Sequence, residues 1–217
     1  MIRGAVLVVA AGAAALYASR IFASTPWLHL ALKPVPVLAM ALFVGQGPRA
    51  RERYGRLVLL GLLACAAGDV LLDLWTGSFV LGMAAFLAGH ALYLAAYLTE
   101  DRRPAWALAL PFALWGGILF LFVHPGLSNL RVPVAIYTAT ICAMMWRAAA
   151  RLRWPTAPAG AWLAFGGAVL FAASDSLIAL HRFHTPLALT RYPVIIGLYW
   201  LGQLGICGSA LTPPRRG

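Results

Sequence analysis

Asp69, Asp73 and Asp175 each lie inside a long apolar run. The chain has only six acidic residues, so half of them occupy places where charge is most costly. A charged side chain near a bilayer centre costs at least about 2.5–3.5 kcal/mol on insertion scales. Such residues persist where they face a protein interior and serve chemistry, transport or specific pairing. Asp69 and Asp73 are four positions apart and share a helix face. Two carboxylates so close in a low dielectric do not both ionise readily. That leaves a proton donor beside a proton acceptor, the arrangement used in acid–base hydrolysis. The structural alternative is an ion pair with Lys33 that locks the helices together.

Other polar groups could serve these carboxylates. His90 and Tyr93 lie one turn apart, with Tyr97 extending the same face, and Tyr199 and Gln203 are also one turn apart. Each can hydrogen-bond a buried carboxylate or a substrate oxygen, or simply pair with another helix. Lys33 is the single lysine. It suits a counter-ion for the carboxylates or a phosphate, or it snorkels to the interface. Pro34 and Pro36 beside it should bend their helix and free backbone polar groups. His181 and His184 could join Asp175 on a metal, but their spacing lacks the glutamate and the i,i+4 geometry of zincin helices. Cys65, Cys142 and Cys207 are isolated in apolar runs and read as buried structural thiols.

The elements that hold these residues are membrane helices. Of 217 residues, 62% are hydrophobic and 11% charged, and mean hydropathy is +0.83. Soluble domains carry about 25% charged residues. Apolar runs recur along the whole chain and predict one all-α bundle of eight spans: roughly 4–23, 27–47, 56–75, 79–99, 105–123, 129–149, 158–180 and 191–211. The first is read as a retained span rather than a signal peptide. The net charge of +11 does not point to nucleic acid, because the arginines cluster in short loops that orient helices and meet anionic lipid. With eight spans, Arg3, Arg49, Arg51, Arg53, Arg56, Arg102, Arg103, Arg147, Arg151, Arg153, Arg215 and Arg216 share one side. Arg20, Arg131, Arg182, Arg191 and Lys33 lie toward the other. This bias predicts both termini in the cytoplasm and places Asp69, Asp73, Asp175 and Lys33 in the outer leaflet. Trp27, Trp75, Trp106, Trp154 and Trp162 fall near span ends and read as interfacial anchors.

An internal similarity supports pairing of the carboxylates. Gly68-Asp69-Val70-Leu71-Leu72 is similar to Ser174-Asp175-Ser176-Leu177-Ile178, and Leu92-Tyr93 to Leu198-Tyr199. The copies are four spans apart, which predicts a parallel four-helix repeat that brings the third and seventh spans together.

Five segments in order resemble those of the YhhN-like lysoplasmalogenase family: Lys33-Pro34-Val35-Pro36, Gly68-Asp69 through Asp73-Leu74, Phe79 through Phe86 with Gly89-His90-Ala91-Leu92-Tyr93, Ser174-Asp175, and Tyr199-Trp200-Leu201-Gly202-Gln203. Gly202 replaces the family's usual alanine. The resemblance implies an eight-helix membrane hydrolase that cleaves the vinyl ether of a lysoplasmalogen, releasing a fatty aldehyde and a glycerophospho-alcohol. It also implies that the family's aspartates correspond to Asp69, Asp73 and Asp175, and its lysine to Lys33. The expected roles are Asp69 and Asp175 as the core acid–base pair, with Asp73 and His90 tuning protonation. Lys33 binds phosphate, Tyr93 or Tyr199 orients the glycerol, and Gln203 adds a further substrate contact. No metal or organic cofactor is needed for this chemistry. The substrate is a lysophospholipid drawn sideways from the membrane, and the composition suggests a bacterial inner membrane. Nothing in the sequence signals an oligomeric state. The rival readings are a proton-coupled or small-molecule transporter and a metal-dependent lipid hydrolase using Asp175, His181 and His184.

Overall fold

In hydrocarbon every backbone N–H and C=O must be satisfied within the protein, so apolar runs of this length fold as helices. The computed structural model describes residues 2–19, 25–74, 78–153, 157–188 and 192–213. Among these the α-helices are α1 (Ile2–Ser19), α2 (Pro26–Leu32), α3 (Val35–Gly45), α4 (Arg53–Asp73), α5 (Phe79–Glu100), α6 (Ala109–Val123), α7 (Arg131–Ala150), α8 (Ala159–Phe183) and α9 (Tyr192–Leu211). Short 3-10 turns extend α6 and α7 at both ends. No strand occurs among the described residues. The readings placed on Arg20, Trp75, Trp154, Arg191, Arg215 and Arg216 lie outside the described residues.

Six helical stretches among the described residues are long and apolar enough to cross a membrane: Arg53–Asp73, Phe79–Glu100, Trp106–Gly126, Ser128–Arg153, Ala159–Phe183 and Pro193–Leu211. Leu30–Gly45 is a shorter apolar stretch. The chain is an all-α, polytopic integral membrane protein. Large apolar side chains cover its outside, with Leu121 73% and Val132 69% exposed, as expected where the surroundings are lipid. Trp27 and Trp106 are exposed near helix starts, where interfacial anchors belong.

The segment 27–47 is not one rod. It divides into α2 and α3 at a turn formed by Lys33 and Pro34, because a proline inside a helix removes an N–H donor and its ring crowds the preceding turn. The break holds Lys33 where it is 7% exposed.

Packing is closest where glycines remove side chains. α4 makes its most extensive contact with α5, and α8 with α9; α4 and α8, the third and seventh spans expected to come together, barely touch, because α5 and α9 pack against them instead. A Cβ on Gly61 would lie 2.3 Å from the Tyr93 ring, and one on Gly68 would lie 2.7 Å from the Phe86 ring. Between α8 and α9 the backbones themselves meet. A Cβ on Gly167 would fall 2.6 Å from the Gly202 carbonyl oxygen, and one on Gly202 would fall 2.8 Å from the Phe171 nitrogen. Gly61 and Gly167 each precede their aspartate by eight residues. The glycine at 202, where the family resemblance leads one to expect alanine, follows from this contact.

The arginine-rich end of the bundle differs from the loop-and-lipid expectation. Arg49, Arg147 and Arg151 are buried. Glu100, at the end of α5, accepts hydrogen bonds from Arg49 Nη2 and, at 2.9 Å, from Arg151 Nη2. Arg151 Nη1 also donates to Tyr54 at 3.1 Å, and Tyr54 pairs with Ser209 of α9 at 2.7 Å. Arg147 donates to the carbonyls of Asp101 and Arg103, tying the α5–α6 loop to α7. In that loop burial opposes the charge on Asp101, but the Arg103 backbone N–H at 2.8 Å and the Arg103 guanidinium outweigh it and hold the carboxyl below its ordinary range.

Candidate active site

At the opposite end, the closing turns of α4 and α8 run past the opening turns of α5, α7 and α9. Their apolar side chains do not fill the space between them. A cavity of about 110 Å³ remains, and Lys33, Asp69, Tyr137, Asp175 and Tyr199 are on its wall. Its other walls are mainly apolar, including Phe79, Met83 and Phe86 of α5. Two carboxylates from separate segments therefore reach one apolar cavity.

Each aspartate is held by a tyrosine from another helix. Tyr199 donates to Asp69 Oδ2 at 2.6 Å. Asp69 is 1% exposed, and its Oδ1 is buried without a hydrogen-bond partner. Lys33, Asp73 and Asp175 are all close enough to act on its charge. Tyr137 of α7 donates to Asp175 Oδ2 at 2.5 Å. A phenol donating to a carboxyl oxygen fixes its orientation. Phe86 and Phe171 pack edge-on against the Tyr199 ring, with centroids 5.8 and 5.2 Å away, so this donor has little room to move.

Lys33 donates to Asp73 Oδ2 at 2.7 Å. The Asp73 side chain is 46% exposed and lies off the cavity wall, so it holds the lysine from the rim. Lys33 itself is on the wall.

Three other expected site residues stand behind the wall. The His90 ring is wholly buried between Phe171 and Tyr137, with centroids 4.6 and 5.2 Å away. Its Nε2 is 3.8 Å from Asp175 Oδ2, beyond hydrogen-bond length, and neither ring nitrogen has a hydrogen-bond partner. Tyr93 donates to Gln203 Oε1 at 2.7 Å, and both residues are wholly buried off the wall. His90, Tyr93 and Gln203 thus back the site and do not face the cavity. Tyr97 is also fully buried, beside Tyr54 and Arg151 at the arginine-rich end.

His181 and His184 are not brought to Asp175. His181 Nδ1 accepts from the Leu187 backbone N–H at 2.8 Å, and His184 packs on Phe122. Among the described residues no group of three or more His, Cys, Asp or Glu is placed to hold a metal. The thiol reading needs one correction. Cys65 and Cys207 are buried, but Cys142 is only partly so, because it borders the cavity.

Sequence reasoning passes over Tyr137, Trp115 and the hydroxyl of Ser176. Trp115 Nε1 donates to Ser176 Oγ at 3.1 Å, and both residues are on the wall. A tyrosine or tryptophan in mid-span is the available signal, since each carries a polar hydrogen that hydrocarbon leaves unsatisfied.

Several known proteins are similar to this chain in sequence. A protein named lysoplasmalogenase from Mycobacterium bovis is 37% identical over 169 residues, covering 71% of this chain and 61% of its own length. Lysoplasmalogenase TMEM86B from Homo sapiens is 33% identical over 189 residues, covering 87% of this chain and 77% of its own. Lysoplasmalogenase TMEM86A from Bos taurus is 32% identical over 202 residues, covering 87% and 80%. The chain thus spans less than two thirds of the mycobacterial relative's length. No solved structure matches it. The model of the YhhN family matches residues 28–210, a stretch that includes every polar group on the cavity wall. The chain belongs to the YhhN family.

Proposed function

We propose that the chain is a membrane lysoplasmalogenase-like hydrolase that cleaves the vinyl ether of a single-chain ether phospholipid. The observation that carries this reading is the arrival of Asp69 and Asp175 at one apolar cavity, each held by a tyrosine hydroxyl, with Lys33 on the same wall. The names of the relatives agree with it.

The chemistry follows from the bond. An enol ether hydrolyses by protonation of its β-carbon, which places positive charge on the ether carbon and oxygen. Water adds to that carbon and loses a proton. The hemiacetal then collapses to an aldehyde and the sn-1 hydroxyl of the glycerol. One proton is consumed and one returned, so a carboxyl–carboxylate pair completes the cycle unaided. One aspartate delivers the proton to carbon. The other stabilises the cation and takes the proton from water, as the paired carboxyls of glycosidases do around a similar cation. A dry cavity strengthens both effects. Tyr199 and Tyr137 hold the pair in position. His90 sets the surroundings of Asp175 from behind, and Tyr93 with Gln203 buttresses α9, which carries Tyr199. Lys33, held by Asp73, meets the phosphate.

The arginine bias favours a bacterial inner membrane location with both termini cytoplasmic. The single bundle then has eight spans, with α1 first and α2–α3 together as the second. The cavity faces the outer leaflet, where a phospholipid head resides.

Mass spectrometry of the purified protein mixed with a lysoplasmalogen and its ester-linked lyso analogue tests the reading. The expected result is fatty aldehyde from the first and no product from the second. Cleavage of the ester, or intact lipid in both, would overturn it.

A further inference from the structure

Trp115 lies near the midpoint of the stretch Trp106–Gly126, far from the interfacial levels where indoles usually anchor. It is 39% exposed. In hydrocarbon its N–H needs a partner, and it finds Ser176 Oγ at 3.1 Å across the gap between α6 and α8. Ser176 adjoins Asp175 in sequence and donates in turn to the Ala172 carbonyl at 2.7 Å. The bond therefore bridges the flank of the bundle at one point, one residue from Asp175.

α6 is suited to form such a flank. It packs mainly on α7 and only lightly on α8. Its outer face, with Leu114, Ile118 and Leu121, is exposed. The cavity nevertheless reaches it, since Trp115, Gly116 and Leu119 line its wall together with Cys142 of α7. Around these residues the wall is mainly apolar, with the indole, Ser176 and Thr138 as its polar groups.

We propose that the seam between α6 and α8 is the side opening in which the hydrocarbon chain of the lipid lies, and that Trp115, bridged to Ser176, is a specificity-determining residue that admits one chain and excludes two. The occupant is the chain of a lysophospholipid whose head sits at Lys33. The proposal rests on the reading of the cavity as a lipid site, but not on the bond cleaved there.

Cross-linking tests the seam without turnover. A lysophospholipid carrying a diazirine in its chain is irradiated with the full-length protein in lipid nanodiscs, and adducts are mapped by peptide mass spectrometry. Adducts are expected on residues 115–119, 142 and 176–179, falling at least tenfold under excess unlabelled lysophospholipid. Adducts spread over α1 or other exposed faces, without competition, would overturn the seam. The second measurement is the preference of Trp115→Ala and Trp115→Phe for one-chain over two-chain vinyl ether lipids. A drop of at least tenfold for Trp115→Ala is expected, and an unchanged preference would contradict the role of Trp115. Seam adducts with no aldehyde release by the unaltered protein would refute the hydrolase reading alone.

Discussion

Tyr199 of the last helix donates to Asp69 Oδ2 at 2.6 Å, joining residues 130 positions apart. The ring is held edge-on by Phe86 and Phe171, so it can do little but present its hydroxyl to that carboxylate. Tyr137 serves Asp175 in the same way from α7. Tyr199→Phe and Tyr137→Phe keep the rings and remove only the donors. A hydrogen bond to a charged group contributes about 1.5–3 kcal/mol. Loss of about 1.4 kcal/mol at the transition state is tenfold in rate. Each variant should release aldehyde at least about tenfold more slowly, with a melting temperature close to that of the unaltered protein. Unchanged release in both would remove the tyrosines from the mechanism.

Lys33 is assigned to the phosphate rather than to the reacting bond. Lys33→Gln should therefore raise KM while leaving kcat nearly unchanged, the signature of lost ground-state binding. The control is an alkenyl glycerol without phosphate, for which the variant and the unaltered protein should have the same KM. An equal KM change for both lipids would show that Lys33 acts through the fold.

Gly202 touches the α8 backbone, where a Cβ would meet the Phe171 nitrogen at 2.8 Å and the Gly167 carbonyl oxygen at 2.9 Å. Neither neighbour is a flexible side-chain end. Gly202→Ala should separate α9 from α8 and cost about 1–3 kcal/mol, the usual range for overpacking. Because Tyr199 is one turn away on α9, aldehyde release should fall as well. Thermal unfolding in detergent checks the first effect, and a melting temperature equal to that of the unaltered protein would contradict the close contact.

Asp101 gives the arginine-rich end a pH dependence. Its folded-state pKa lies below the unfolded value of about 3.9, so its stabilising effect is present above that value and fades as pH falls through the folded one. Unaltered protein should be more stable than Asp101→Asn at pH 6, and the gap in melting temperature should close on acidification below about pH 4. A gap that stays constant across that range would show that the charge of Asp101 is not what holds the loop.

The parts of this molecule readable from sequence are those governed by cost. A carboxylate in an apolar run is costly wherever the run packs, so Asp69 and Asp175 stand out from the residue order alone. Pro34 lacks an N–H in any surroundings, and the break beside Lys33 follows. What periodicity does not supply is the rotation of one helix against its neighbour, which depends on close backbone contacts such as Gly167 with Gly202. The four-span similarity likens Tyr93 to Tyr199, yet Tyr199 meets Asp69 while Tyr93 turns to Gln203. The partner of Asp175 is instead Tyr137, on a helix with no matching tyrosine in the first copy. The arginines read as loop charges because charge counting carries no depth, and Arg151 is 1% exposed.

Comparing aldehyde release by the unaltered protein, Asp69→Asn and Asp175→Asn, each purified in one detergent and shown to melt normally, bears most directly on the paired carboxylates. The account predicts a fall of about 100-fold or more in each variant, the low end of acid–base contributions. Near-normal turnover in both would contradict it.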